Sequence, residues 1–299
     1  MGDKSKIEWT NATWNVVTGC TKVSSGCRFC YAERLFPRVY PGRKFADVRF
    51  HADRLDLPLR WKRPRHIFVN SMSDLFHYVV TTAELDLIFS VMAMSSQHTF
   101  QVLTKRPERM NTYLTGLIDR GGASYTDGVL KDMCSDRNWR YFAGQVNDRL
   151  LRQVSPWKWP IQNIWLGVSV EDQKTADERI PLLLQTPAAI RWVSYEPALA
   201  AVNLDEYLTG HEEAGTPFSG APHVGGCVAW TPPVDWVVAG GESGPQARPS
   251  QLDWFRQMLT QCRAANVPFF MKQIGGWPNK RGDLSEVPAD LRVREYPYG

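Results

Sequence analysis

Seven short stretches of the chain are apolar almost without interruption: 14–19 (WNVVTG), 66–71 (HIFVNS), 99–104 (TFQVLT), 163–170 (NIWLGVSV), 190–196 (IRWVSYE), 235–241 (DWVVAGG) and 268–273 (PFFMKQ). Runs of this length without polar alternation predict strands buried on both faces of a parallel sheet. Between them the apolar positions spread to helical spacing, which predicts helices over 83–96, 107–120, 172–185 and 250–266. Pro187, just after Gln185, supplies a helix stop before the next strand. Strands and helices in alternation predict an α/β fold with right-handed crossovers. Six or seven such units with no linker predict one domain over 1–299, a full or partial (β/α) barrel of parallel strands. Two inserted segments break the rhythm. Residues 121–160 are too long for a plain loop and predict a helical subdomain, whereas 209–233 are rich in Gly and Pro. Loops this long are functional lids or disordered segments.

Composition narrows the class. With 43% hydrophobic and 22% charged residues, the 299-residue chain can bury a substantial core. No stretch approaches the roughly 18 apolar residues of a membrane span, so no membrane partner is expected. The start, MGDKSKIEWT, has no apolar run of a secretory signal, and a cytoplasmic protein is expected. A net charge of +4 selects no partner by itself.

In parallel α/β folds, ligands bind beyond the C-terminal ends of the strands. Those ends are polar here: Asn70, Ser71, Ser73 and Asp74; Thr104, Lys105 and Arg106; Ser169, Glu171 and Asp172; Ser194 and Glu196; Glu242 and Ser243; Lys272 and Gln273. Singly, Asp and Ser at these places read as turn formers and helix caps. Capping does not call for Lys105, Glu196, Glu242 or Lys272, and together they predict a charged mouth.

The first strand runs into TGCTKVSSGCRFC, with Cys20, Cys27 and Cys30. In a reducing compartment such a cluster binds metal more readily than it forms disulfides. Gly19 and Gly26 each precede a cysteine, where a left-handed backbone would help the loop to wrap. Four readings are open: three inert thiols; a zinc site completed by Cys134, Cys227, Cys262 or a histidine; a redox pair at Cys27 and Cys30; or a 4Fe–4S cluster with one iron left open. The six histidines (51, 66, 77, 98, 211 and 223) form no H-x-x-x-H pattern, and only His77 is placed near the mouth.

Five blocks then carry a resemblance: EWTNATWNVVTGCTKVSSGCRFCYAERL, FVNSMSDLFH, LTKRPERM, WLGVSVEDQ and VAGGESGPQARP. They resemble, in order, the phage-derived, radical-SAM-like three-Cys-motif family, which is distantly similar to spore photoproduct lyase. The resemblance implies a radical-SAM-type barrel and a 4Fe–4S cluster on Cys20, Cys27 and Cys30. S-adenosylmethionine (SAM) would bind the open iron and be cleaved to a 5′-deoxyadenosyl radical that abstracts hydrogen from a substrate. It further implies Ser71, Ser73 and Asp74 as contacts of the SAM amino group or ribose. Ser169 is a further candidate contact, and Glu196 and Glu242 are candidates for other polar contacts. An electron donor such as flavodoxin or ferredoxin would be a partner. The first cysteine gap is six residues here, against three in most radical SAM enzymes.

Two further expectations concern the substrate. Residues 34–65 carry ten Lys/Arg against three Asp, with Phe36, Tyr40, Phe45, Phe50 and Trp61 interleaved. Such a segment either tracks a nucleic acid or packs its aromatics inward. The likeness to a DNA-acting enzyme favours a nucleic acid or nucleotide, with Arg137, Arg140, Arg149 and Arg152 extending the surface. Cys134 and Cys227 are candidate hydrogen donors, while Cys262 falls in an amphipathic helix and is expected in the core. The alternative from another class is a zinc-stabilised nucleic-acid-binding protein without catalysis.

Overall fold

The computed structural model describes residues 5–119, 159–213, 229–231, 233–276 and 283–297. Seven strands form one sheet: β1 (Ala12–Trp14), β2 (His66–Val69), β3 (Thr99–Thr104), β4 (Ile164–Val170), β5 (Ile190–Tyr195), β6 (Trp236–Gly240) and β7 (Phe269–Gln273). Every pairing is parallel, and the order in space is the order in the chain. That order decides the shape. Right-handed crossovers that never reverse direction leave their helices on one face, so the sheet curls around the other. β1 and β7 do not pair, and the result is an open half-barrel.

The helices are α1 (Tyr31–Val39), α2 (Thr82–Met94), α3 (Pro107–Asp119), α4 (Gln173–Leu184) and α5 (Leu252–Ala264). The main core lies between sheet and helices. It joins strand residues such as Val69, Leu166, Val193 and Met271 to Phe89, Leu114, Ile180 and Phe255. Cys262 is fully buried there, as its helical setting predicts. The N-terminal ends of α2 and α4 have local causes. Thr81 with Glu84, and Asp172 with Thr175, form capping boxes, so Asp172 is a cap and takes no part in the site.

The concave face is graded along the strands. Successive side chains point to opposite faces, so the inward series run Trp165, Gly167, Ser169 on β4 and Trp192, Ser194 on β5, with Glu171 and Glu196 just beyond the strand ends. The lower end is aromatic: Trp9, Phe68, Trp165, Trp192, Trp236 and Phe270 form a separate buried cluster with no helical member. Trp9 plugs it from the N-terminal segment, 4.7 Å from Phe68 and 5.1 Å from Trp192 between ring centroids. Tyr296 closes it from the other terminus, stacked on Trp236. With the bottom filled, the concave face opens at the C-terminal ends of the strands among the described residues.

The predicted strand over 14–19 divides in two. Asn70 N donates to Trp14 O as the last ladder bond, and Asn70 takes a left-handed conformation (φ 62°), which Asn tolerates better than most residues. Beyond it, side-chain amides replace the ladder: Val17 N donates to Asn70 Oδ1, and Met72 N to Asn15 Oδ1. Val17–Thr18 pair instead with Arg49–Phe50 in a small antiparallel ladder. The exits of β1 and β2 are thus braced apart, and the cysteine loop grows from the gap.

The expected insertion at 121–160 lies outside the described residues, apart from 159–160, as do Cys134, Cys227, Arg137, Arg140, Arg149 and Arg152. In the second insertion, His211–Glu213 pair antiparallel with Ala229–Thr231.

Candidate functional site

A cavity of about 450 Å³ opens at the C-terminal ends of the strands. Cys20, Cys27 and Cys30 all line it, and so do Ser71, Ser73, Asp74, Ser169, Glu196 and Glu242. Residues from the ends of six strands, β2 to β7, and the cysteine loop therefore converge on one space, in the setting where α/β folds place their ligands.

Two glycines shape the loop for different reasons. Gly19 is left-handed (φ 91°), and a Cβ there would meet the carbonyl oxygens of Phe45 and Asp47 at 2.7 Å. Gly26 does not adopt a left-handed backbone, contrary to expectation. Its requirement is space, because a Cβ would lie 2.5 Å from the Glu171 carboxylate. Glu171 is wholly buried beneath the loop and pairs with Lys105 and Arg179. Ser24 Oγ donates to Glu171 Oε1 at 3.1 Å, tying the loop to β4.

A second tie comes from Arg106. Its Nη1 donates to Asp74 Oδ2 at 2.9 Å and lies 3.7 Å from Cys20 Sγ, while Nη2 donates to Thr21 O at 2.9 Å. His77 completes the clamp. Val79 N donates to its Nδ1, so Nε2 carries the proton and donates to Thr21 Oγ1 at 2.9 Å. His77 thus sits behind the cysteine loop and does not line the cavity, a correction to its expected place. Arg248 makes the third tie, holding both oxygens of Glu242 and donating to Ser25 O at 3.0 Å.

These ties sort the acids. Asp74 accepts from Phe76 N, Thr104 Oγ1, Lys105 N and Arg106 Nη1, so both its oxygens are engaged by the protein. Glu242 is engaged by Arg248. Both are positioning residues rather than free ligands. Glu196 differs: Lys272 holds Oε1, and Oε2 has no protein partner among the described residues. Ser71 Oγ donates to Asn15 Oδ1 and Ser73 Oγ to Val17 O, which leaves each oxygen as an acceptor. Ser169 and Ser194 stand directly opposite each other in the β4–β5 register. Neither hydroxyl is bonded within the described residues.

The thiols are free and partly exposed. Burial pushes the Cys20 thiol up to about 11, helped by the Asp74 charge and opposed by Arg106. Burial also raises Cys30, against the backbone N–H groups of Glu33 and Ala32 at the start of α1. Those donors and Arg106 favour the thiolate that metal ligation requires. Among the described residues no group of three His, Cys, Asp or Glu stands in metal-ligating geometry. The fit to a metal cluster is one of donor chemistry: three thiols reach one cavity, and among the described residues no histidine or fourth cysteine lines it.

Sequence reasoning missed Arg248, Arg179, Ser24 and α1. Arg248 lies in an irregular Pro-flanked stretch with no periodic signal. The aromatic residues of 34–65 turn inward: Phe36 is buried with Tyr40 and Phe45 against it, and Phe50 and Trp61 pack on the core. Phe45 also lines the cavity.

Over residues 4–295 the chain matches the family described as a protein of unknown function, DUF5131, and it belongs to that family. Searches of curated proteins and of solved structures gave no significant match.

Proposed function

We propose that this DUF5131 member is a radical SAM enzyme, with Cys20, Cys27 and Cys30 as the thiolate ligands of a 4Fe–4S cluster. One observation carries the reading: three thiols border one cavity together with Ser71, Ser73, Ser169 and Glu196, and among the described residues no fourth cysteine and no histidine joins them. A bound cluster with an open iron would supply one-electron reductive cleavage of the SAM sulfonium. The common structural zinc centres are completed by a fourth cysteine or a histidine, and neither borders the cavity among the described residues.

The chain's own residues would then bind and orient. Ser71 and Ser73, with their protons engaged elsewhere, present acceptors suited to an ammonium group. Glu196 Oε2 offers a further acceptor, and the adjacent Ser169 and Ser194 hydroxyls suit a polyhydroxylated moiety such as ribose. Trp9, Phe68 and Leu103 give the cavity an apolar floor that excludes water from the reaction space. The half-barrel is of the radical-SAM type on this reading. The substrate is proposed as a nucleotide or nucleic acid by analogy with spore photoproduct lyase.

The test is anaerobic purification with iron, sulfide and zinc analysis, followed by EPR of the reduced protein with and without SAM. Iron and sulfide near four each per chain, with a signal that shifts on SAM addition, is the expected result. Stoichiometric zinc without iron or sulfide overturns the proposal in favour of a zinc-stabilised nucleic-acid-binding protein.

A further inference from the structure

Helix α1 buries Ala32 and Phe36 beside Met72. A surface helix of this kind normally turns a polar face to water, but the outer face of α1 carries an apolar stripe between its charged residues. Tyr31, Leu35 and Val39, spaced four residues apart, are 39%, 37% and 53% exposed, and Val23 on the cysteine loop is 47% exposed. Of the seven large apolar side chains exposed among the described residues, these are four, so such surface gathers around the cysteines. Arg34 and Arg38 flank the stripe one turn apart. Neither they nor Arg28 and Lys44 are paired with an acid among the described residues. Tyr31, Arg34 and Leu35 also line the cavity, so patch and rim are continuous, and α1 begins at the residue after Cys30.

We propose that this face of α1 docks a small acidic electron-carrier protein, an inference that rests on the reading of the site given above. Unpaired cations select an acidic partner, and aliphatic side chains add contact area that a phosphate backbone cannot use. A second copy of this chain would set Arg34 and Arg38 against their own kind. Electron-transfer partners meet through small, transient interfaces, for which one helix face and the adjoining loop suffice. One electron passes from the carrier to the group held by the cysteines, and no bond is made or broken.

The experiment uses a plant-type ferredoxin as the acidic carrier. Its binding to the whole chain is read by anisotropy of a fluorescent label, and reduction of the cluster by stopped flow, with dithionite as the carrier-independent comparison. Arg38→Glu and Val39→Asp change the patch without touching a cavity-lining residue. The expected result is salt-sensitive binding, with each variant lowering both binding and ferredoxin-driven reduction about tenfold while dithionite reduction is unchanged. Equal binding by wild type and variants overturns the surface, as does a wild-type dimer, or binding to anionic vesicles, that the variants abolish. A chain that takes up no iron overturns the reading of the site itself, and electron delivery with it.

Discussion

The guanidinium of Arg106 lies with Nη1 3.7 Å from Cys20 Sγ and 2.9 Å from Asp74 Oδ2, and its other arm reaches Thr21. One cation thus braces one of the three thiols and the backbone beside it, and no cation does the same for Cys27 or Cys30 among the described residues. A positive charge and a hydrogen bond at a cluster sulfur stabilise the more negative, reduced state. Arg106→Met is therefore expected to move the cluster midpoint potential to more negative values. Arg106→Lys, which keeps the charge and loses the fork, should move it less. EPR-monitored redox titration, with iron content measured alongside, separates this from simple loss of the cluster. Equal potentials at equal iron content would show that Arg106 acts only as a brace.

Gly26 tests the packing beneath the loop. A Cβ at this position would overlap the Glu171 carboxylate, which cannot move without disturbing the buried pairs with Lys105 and Arg179. Gly26→Ala should cost on the order of 1–3 kcal/mol, the usual range for overpacking, and should reduce iron retention. Gly42 is the comparison, being left-handed (φ 78°) with open space around its missing side chain. Gly42→Ala should cost only the backbone strain, about 1–2 kcal/mol, and leave iron binding intact. Thermal unfolding and iron analysis of both variants check the contrast.

The extent to which the sequence reveals this arrangement follows from which forces leave periodic traces. The run TFQVLT is continuous because β3 is packed on both faces, and its limits in the fold are those of the apolar run. Glu196 and Lys272 are legible as site residues because capping gives no reason for them at strand ends. Helix α1 is hidden, since its exposed face carries Leu35 and Val39 and its interior holds Pro37. The break after Trp14 is equally hidden: it depends on the Asn15 and Asn70 side chains, 55 residues apart, each taking over a backbone bond. Arg248 and Ser24 act across still longer separations, for which local pattern carries no signal.

His77 gives a pH dependence of defined sign. Burial and the nearby Arg106 charge lower it to about 4, from 6.5 in a free chain. Between those values the unfolded chain binds the proton and the folded chain does not, so stability falls as pH falls. The contribution is fully present above about pH 6.5 and is lost progressively below it. From pH 7 to pH 5 the loss assigned to this residue is on the order of 2 kcal/mol. His77→Gln should show a correspondingly flatter decline over that interval, and denaturant unfolding at a series of pH values would reveal it. Identical slopes would mean that other groups carry the acid sensitivity.

Glu196 and Glu242 line the same cavity, yet the fold gives them different tasks. Glu242 is gripped at both oxygens by Arg248, which also holds the cysteine loop at Ser25. Glu242→Gln should therefore loosen the loop, lowering stability by about 2 kcal/mol, within the range for breaking a charged hydrogen-bonded pair, and reducing iron content. Glu196 keeps Oε2 unpartnered beside the ribose- and ammonium-suited acceptors of the cavity. Glu196→Gln should leave iron content unchanged and weaken SAM binding about tenfold, equivalent to the loss of one charged contact of roughly 1.4 kcal/mol. Calorimetric titration of SAM into the iron-loaded variants, paired with iron analysis, distinguishes the two. If Glu196→Gln binds SAM as the wild type does, Glu196 is a strut for Lys272 and the ligand's polar contacts fall to Ser71, Ser73, Ser169 and Ser194.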